Sequence, residues 1–312
     1  MFKIIVNRKI ISVAVILAVV LVAIFFLSSR IPKSDTPNNR IHIVTSFYPL
    51  AHIVKVVGGN LVTVRNLVPA GVEPHDFEPS SRDLIEIGNA DALVYNGAGL
   101  EPWIGKWGQG NTPRPKLAVN MADELKKNGV FLFEKDGIID PHFWLDPVII
   151  KSEVEIVRDL FIQIDPARKD MFTENAKRYI SALDSLDERF RVGLSSCELR
   201  DVVVLHEAFG YLASRYKFTA TSIEGISPDE EPSPKELARI INLAREKGVK
   251  HIFFETVASP KFSELIAREV GGATLVLNPI ESLTPDEVQS GEDYISIMGM
   301  NLNNLRTAMS CN

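Results

Sequence analysis

Three histidines and one glutamate follow short apolar runs at four separate places in the chain. His75 comes after a Val-Glu-Pro turn, His142 lies between two Asp-Pro pairs, His206 directly follows Val-Val-Val-Leu, and Glu281 follows Asn-Pro-Ile. Imidazole nitrogens and carboxylate oxygens are ligands that zinc accepts in proteins. Residues at the carboxyl ends of parallel strands can face one crevice. The pattern therefore predicts a single metal site formed by all four residues.

The segments that carry these residues alternate between strand and helix patterns. Helices are predicted between the apolar runs, for example at 49–58 and after Ser80 and Ser81, which can cap a helix. The alternation is typical of parallel sheets covered by helices. It predicts an α/β fold with two Rossmann-like lobes. The predicted strands are 41–45, 62–67, 91–96, 117–120, 202–205, 219–223, 251–255 and 274–277.

A long helix is predicted between the two halves of the chain. Asp165 and Pro166 can begin it, and apolar residues recur with helical spacing as far as about residue 196. We expect an N-terminal metal-binding lobe at 41–164, one long rigid connecting helix at 165–196 and a C-terminal metal-binding lobe at 197–312. Such a helix would limit the lobes to small relative shifts. The apolar positions are Met171, Ala176, Ile180, Leu183, Leu186 and Phe190.

The N-terminal 30 residues have a different composition from the rest. Lys3, Arg8 and Lys9 precede an apolar stretch at 10–27. This pattern predicts an export signal or an N-terminal membrane segment, and the lack of a small-residue cleavage motif favours an uncleaved anchor. The positive charges keep the start of the chain in the cytoplasm. We therefore expect an extracytoplasmic protein, either anchored by this helix or secreted after cleavage, with a linker at 31–40.

Net charge and cysteine content argue against two further classes of function, nucleic-acid binding and a cysteine-based zinc site. The formal net charge is −6 and no long basic run is present, so nucleic-acid binding is not expected. The chain has 2 cysteines, Cys197 and Cys311, which in an exported protein form either one disulfide or two free buried thiols. Neither belongs to a Cys-x-x-Cys pair, so a cysteine-based zinc site is not expected.

Several longer motifs resemble those of the extracytoplasmic solute-binding proteins of metal ABC transporters. This cluster A-I family takes up zinc or manganese, and the resemblance spans residues 42–312. It implies two α/β lobes joined by one long helix, a metal held between the lobes, an ABC permease as partner and a monomeric chain. The motifs are TSFYPL at 45–50, PHDFEPS at 74–80, HFWLDP at 142–147, HEAFGY at 206–211, EEPSP at 230–234 and DYISIM at 293–298.

The resemblance also implies a ligand set. The first three ligands of the family fall on His75, His142 and His206, and imidazole at the third position favours zinc over manganese. A manganese- or iron-binding member of the same family is the alternative. Many members carry Asp where this chain has Asn278. We therefore assign the fourth ligand to Glu281, with Asn278 or water as the alternative. A closed tetrahedral site follows from this set.

Two other functions are compatible with parts of the pattern. A zinc hydrolase would use three histidines and a metal-bound water, with Glu207 as the base, but no His-Glu-x-x-His motif is present. An adhesin role alongside transport is the second, and no sequence feature marks the surface it would need. Asp140, Asp146 and Glu207 are candidate hydrogen-bond partners for the ligand imidazoles.

Overall fold

The chain alternates strands and helices through both halves. The computed structural model describes residues 40–107, 113–135, 137–226 and 232–312. The strands are β1 (Ile41–Thr45), β2 (Val62–Asn66), β3 (Ala92–Tyr95), β4 (Leu117–Asn120), β5 (Glu134–Lys135), β6 (Ile138–Ile139), β7 (Asp201–Val204), β8 (Thr219–Ser222), β9 (His251–Phe254) and β10 (Ala273–Val276). The helices are α1 (Tyr48–Gly58), α2 (Ser81–Asn89), α3 (Ile104–Trp107), α4 (Met121–Lys127), α5 (Ile149–Ile164), α6 (Lys169–Gly193), α7 (Gly210–Tyr216), α8 (Pro234–Lys247), α9 (Lys261–Val270), α10 (Pro285–Ser290) and α11 (Tyr294–Ala308).

Each half forms a four-stranded parallel sheet, which confirms the two α/β lobes. The first sheet has the order β2-β1-β3-β4 and the second has the order β10-β9-β7-β8. In both, the first strand of the half lies between the second and the third. Ligands of such sheets bind where the strand order reverses, at the carboxyl ends of these central strands. The two lobes therefore present equivalent edges to a metal.

The helix α6 runs for 25 residues between the two sheets, after a short 3₁₀ turn at Pro166–Arg168. It contacts α1 and α5 of the first lobe and α11 of the second. Its buried face begins at Phe172 and includes Tyr179, whereas Met171 is 48% exposed. Met171 lies five positions before Ala176, which at 3.6 residues per turn is one full turn plus about 140°. Met171 therefore points away from the buried face of the helix. Of the six helically spaced apolar positions, Met171 is the exposed one, and the other five are buried or partly buried.

Two features of the first lobe were not predicted. The helix α5 follows the Asp146-Pro147 turn and packs against both α1 and α6. A short antiparallel hairpin of β5 and β6 lies between α4 and His142. The hairpin has no strong sequence signal, because each of its strands has only 2 residues. Helix α5 does have one, since its buried residues Ile150, Val154, Val157 and Phe161 recur with helical spacing. The hairpin and α5 flank the segment that carries His142.

A disulfide joins Cys197, just after α6, to Cys311, just after α11, so the free-thiol alternative does not apply.

The predicted anchor at 1–30 lies outside the described residues, as do residues 31–39 of the linker and Glu230 and Glu231 of one motif. Within the described residues, no helix has the length and apolar content needed to span a membrane.

Candidate metal centre

The four predicted ligand residues come together at one point between the lobes. His75 lies in the loop between β2 and α2, and His142 lies at the start of a 3₁₀ turn before α5. His206 is two residues past β7, and Glu281 is five residues past β10. One ligand atom from each of the four residues lies within 4.8 Å of the other three. The strand-end pattern in the sequence therefore located residues that the fold places in contact.

The spacing of these atoms matches a small tetrahedral site. The Nε2 atom of His142 lies 3.3 Å from Nε2 of His75 and 3.3 Å from Nε2 of His206. The Oε1 atom of Glu281 lies 3.6, 3.3 and 3.3 Å from Nε2 of His75, His142 and His206. A tetrahedron with metal–ligand bonds of about 2.0–2.1 Å has edges of about 3.3–3.4 Å. Five of the six edges are therefore close to the length that tetrahedral zinc requires.

The carboxylate of Glu281 is fully buried, with 0% of its surface exposed, and neither of its oxygens accepts a hydrogen bond from a described residue. Burial alone would raise its pKa, but the three surrounding imidazoles hold the pKa well below its usual range. A buried anion needs a compensating cation or hydrogen-bond donors. The site is therefore built to receive positive charge beside Glu281.

Two of the three imidazoles are backed by a carboxylate on the side away from the cluster. The Nδ1–H of His142 donates to Asp140 Oδ1 over 2.8 Å, and the Nδ1–H of His206 donates to Glu255 Oε1 over 2.6 Å. Burial opposes the charged imidazolium, but these partners and Glu281 raise the pKa of both rings. Because each Nδ1–H is held by a carboxylate on the outer side, the Nε2 atoms of both rings face the cluster.

A further carboxyl group, that of Glu73, lies near the cluster. Its Oε1 atom accepts a hydrogen bond from the backbone N–H of His75 over 3.1 Å, and its Oε2 atom has no partner within the part of the chain that the structure describes. Burial, with the negative charge of Glu281 as a second cause, raises the pKa of Glu73 to about 9. Glu73 is therefore a neutral neighbour at pH 7 in the absence of a cation.

Polar contacts between the lobes surround the cluster. The Trp144 indole Nε1–H donates to the carbonyl oxygen of Pro279 over 2.8 Å, and the Gly71 N–H donates to the carbonyl oxygen of Leu283 over 2.8 Å. The Arg215 guanidinium donates to both carboxylate oxygens of Asp146, at distances of 2.7 to 3.0 Å. These contacts hold the segments of His75, His142 and Glu281 at a fixed separation.

The other candidate residues have different partners. Asp140 contacts a ligand imidazole, as the sequence indicated, whereas Asp146 pairs with Arg215 and Glu207 is exposed. Asn278 is buried, but its side-chain oxygen accepts from the Ile280 N–H and its amide donates to Thr256 and Glu287. Asn278 therefore shapes the turn that carries Glu281 and is not among the four converging residues.

The sequence reasoning did not single out Glu255 or Glu73. Glu255 directly follows β9, so it carries the same signal that identified His206, a polar residue at the end of an apolar strand. Its importance comes from the pairing of β7 with β9, which places it beside His206. Strand order is not readable from a local pattern.

Two parallel α/β lobes with three imidazoles and a carboxylate converging between them define a bilobed metal-binding protein. The chain is 35% identical over 292 residues to the high-affinity zinc uptake system protein ZnuA of Bacillus subtilis (strain 168), covering 90% of this chain and 92% of that protein. It is also 35% identical over 312 residues to the zinc-binding protein AdcA of Streptococcus pyogenes serotype M6 (strain ATCC BAA-946 / MGAS10394). That match covers 94% of this chain but only 61% of the AdcA sequence.

A solved structure with the same fold is the Zn(II)-bound ZnuA-like domain of AdcA from Streptococcus pneumoniae. It superimposes with a TM-score of 0.75 at 36% identity, covering 86% of this chain and 99% of that domain. Residues 43–308 match the family described as ZnuA, zinc-uptake complex component A, periplasmic. The chain belongs to this family of zinc-uptake solute-binding proteins.

Proposed function

We propose that this protein captures one Zn²⁺ ion between its lobes, outside the cytoplasm, and delivers it to an ABC permease for import. The four ligands are His75, His142, His206 and Glu281. The observation that carries this proposal is the tetrahedral spacing of four ligand atoms, one of them from a buried carboxylate to which no donor in the described part of the chain hydrogen-bonds. The zinc-uptake family and the Zn(II)-bound relative support the choice of metal.

The donor set favours zinc over manganese. Three imidazole nitrogens and one carboxylate oxygen suit Zn²⁺, whereas Mn²⁺ prefers more oxygen ligands and six-fold coordination. Glu281 and His142 are fully buried and His75 is only 9% exposed, so the site has little room for the additional water ligands of an octahedral ion. Zn²⁺ is accordingly the transported substrate, and Mn²⁺ is expected to compete weakly.

Capture and release, without catalysis, fit this ligand arrangement. Hydrolytic zinc sites keep one position open for an activated water, and a fourth protein ligand closes it. Here Glu281 Oε1 is equally close, at 3.3 Å, to His142 and His206. The exposed Glu207 side chain, the base that a hydrolase would need, is not part of the cluster.

We assign the lobes to residues 41–164 and 197–312, with the connecting segment at 165–196. Ligands from both lobes hold the metal, so release requires the lobes or their loops to separate. The long α6 helix packs against helices of both lobes and supports small shifts in preference to wide hinge bending. A permease would then distinguish the loaded form by the relative position of the two lobes.

The N-terminal 30 residues act as the export signal that directs the folded part of the chain out of the cytoplasm. Their basic start and apolar stretch at 10–27 support export, followed either by retention as a membrane anchor or by cleavage. The periplasmic description of the family agrees with an extracytoplasmic location. We propose that the folded part acts as a monomer tethered through the linker at 31–40.

A zinc titration of the purified protein and two histidine variants tests the proposed function. The wild-type protein should bind one zinc per chain in competition with a chelator, and excess Mn²⁺ should not displace it. His142→Ala should weaken zinc binding by at least about 100-fold, because one of four ligands is lost. His251→Gln, at the amino end of β9, is the control and should bind like wild type. Unchanged zinc affinity in His142→Ala, or tighter binding of Mn²⁺ than of Zn²⁺, would contradict the proposal.

A further inference from the structure

We propose that Glu255 is a positioning residue, which acts through His206 to fix the imidazole that binds zinc and to strengthen it as a ligand. The inference rests on the proposed function, because it assigns a role at the same site. It concerns a residue that does not itself belong to the four converging ligands. The inference is supported by three observations. The side chains of Glu255 and His206 share a hydrogen bond, both are buried, and they follow adjacent strands.

The fold fixes the Glu255–His206 pair through the central strands of the second sheet. His206 follows β7 and Glu255 follows β9, and these strands pair in parallel at Val203 and Ile252. The Glu255 Oε1 atom accepts from the His206 ring Nδ1–H over 2.6 Å and from the His206 backbone N–H over 3.4 Å. One carboxylate oxygen therefore restrains both the ring and the backbone of the same ligand.

The hydrogen bond determines which ring nitrogen carries the proton. With Glu255 beside Nδ1, the neutral His206 imidazole keeps its proton on Nδ1 and presents the Nε2 lone pair to the cluster. That Nε2 atom lies 3.3 Å from both His142 Nε2 and Glu281 Oε1. The opposite tautomer would place an N–H bond where the metal belongs. A carboxylate acting on Nδ1–H also makes the imidazole a stronger electron donor to zinc.

Glu255 is poorly explained as a contribution to folding alone. Its exposed fraction is 2%, and its Oε2 atom has no hydrogen-bond partner among the described residues. A buried carboxylate with one unsatisfied oxygen opposes folding unless a cation lies nearby. Zinc at the cluster would supply that charge through the intervening imidazole. The buried carboxylate of Glu255 is therefore fully compensated only in the zinc-loaded protein, which fits a role in zinc binding.

Asp140 provides an internal comparison in the first lobe. Its Oδ1 atom accepts from the His142 Nδ1–H over 2.8 Å and from the His142 backbone N–H over 3.0 Å. The same double contact thus occurs once in each lobe, on a ligand of that lobe. Each lobe can therefore orient one imidazole independently, before the second lobe contacts the metal.

The test is a double-mutant cycle on zinc affinity, with apo-protein melting temperature and the visible spectrum of the Co²⁺-substituted protein as further readouts. Glu255→Gln keeps an oxygen that can accept from Nδ1–H but removes the charge, and Glu255→Ala removes both. We expect zinc affinity to fall by about 10-fold in Glu255→Gln and by up to about 100-fold in Glu255→Ala. The Co²⁺ absorption of Glu255→Ala should change. If Glu255→Ala fails to fold, the Glu255→Gln result decides.

The second half of the cycle is the same Glu255→Gln change in a His206→Ala background. There it should alter zinc affinity by less than about twofold, because a positioning residue has no effect once its partner is absent. Glu246→Gln, an exposed charge change on α8, is the control and should match wild type. Equal losses in both backgrounds, or wild-type affinity in Glu255→Gln, would overturn the inference. Unchanged affinity in His206→Ala alone would instead contradict the proposed function.

Discussion

Trp144 and Pro279 connect the two lobes directly beside the metal cluster. The indole Nε1–H of Trp144 donates to the Pro279 carbonyl oxygen over 2.8 Å, and both residues are buried. Trp144 lies two residues after His142, and Pro279 lies two residues before Glu281. The hydrogen bond therefore fixes the separation between one ligand of the first lobe and one of the second.

Replacing Trp144 by phenylalanine should weaken zinc binding without touching a ligand. The change leaves the Pro279 carbonyl oxygen unsatisfied in a buried place, an effect of about 1–3 kcal/mol. We expect zinc affinity to fall by about 10-fold, because the lobes are less firmly held at the spacing that brings the ligands together. Chelator competition measures this. Trp103→Phe, in the core of the first lobe, should lower stability and leave zinc affinity unchanged; equal affinity losses in the two variants would contradict the link.

Glu153 should make stability depend on pH. This residue of α5 is fully buried, and neither of its carboxyl oxygens has a hydrogen-bond partner in the described ranges. Tyr179 and Tyr294 are close enough to interact with its charge. Burial raises its pKa to about 8. Between pH 4.5 and pH 8 the unfolded chain loses this proton and the folded chain keeps it. The folded state is therefore progressively destabilised as pH rises through this window.

The variant Glu153→Gln isolates that effect, since the amide has nearly the same shape and does not ionise. At pH 5 the variant and the wild type should melt at similar temperatures. At pH 8 the variant should be more stable by about 3–4 kcal/mol, which corresponds to several degrees in melting temperature for a chain of this size. Thermal melts of the metal-free protein at both pH values decide the matter. Parallel pH profiles would show that Glu153 ionises normally.

The disulfide should contribute to stability and not to zinc affinity. Cys197 and Cys311 are separated by 114 residues in sequence, and the bridge closes the whole second lobe into a loop. On the loop-entropy model its loss destabilises the protein by about 3–5 kcal/mol. The double variant Cys197→Ser and Cys311→Ser should melt about 10 °C lower. Its zinc affinity at 25 °C should equal that of wild type, since no ligand belongs to either joined segment. A large loss of affinity would contradict this separation of roles.

The sequence predicted the sheets and the site for a clear physical reason. Parallel strands end at one edge of a sheet, so polar residues just past apolar runs, such as His206 and Glu281, are placed together by topology. The same signal was present at Glu255 and went unused, because its partner depends on β7 lying next to β9. A residue that supports a ligand is recognisable only when the strand order is known.

Local periodicity also left some elements undetermined. The apolar repeat of α6 included Met171, which is exposed, and omitted Phe172 and Tyr179, which are buried. Adjacent apolar residues on a helix leave its rotation ambiguous by about 100°, and the packing of neighbouring helices resolves it. Helix α5 was not predicted, although its buried residues Ile150, Val154, Val157 and Phe161 recur with helical spacing.

The most direct test of the central claim is anomalous diffraction at the zinc absorption edge from crystals of the zinc-loaded protein. We predict one anomalous peak per chain, about 2.0–2.1 Å from the Nε2 atoms of His75, His142 and His206 and from a carboxylate oxygen of Glu281. Crystals of Glu281→Ala should show either no peak or a zinc ion with a water molecule in place of the carboxylate. A zinc peak elsewhere in the molecule, or one coordinated by the histidines while Glu281 points away, would contradict the closed four-ligand site.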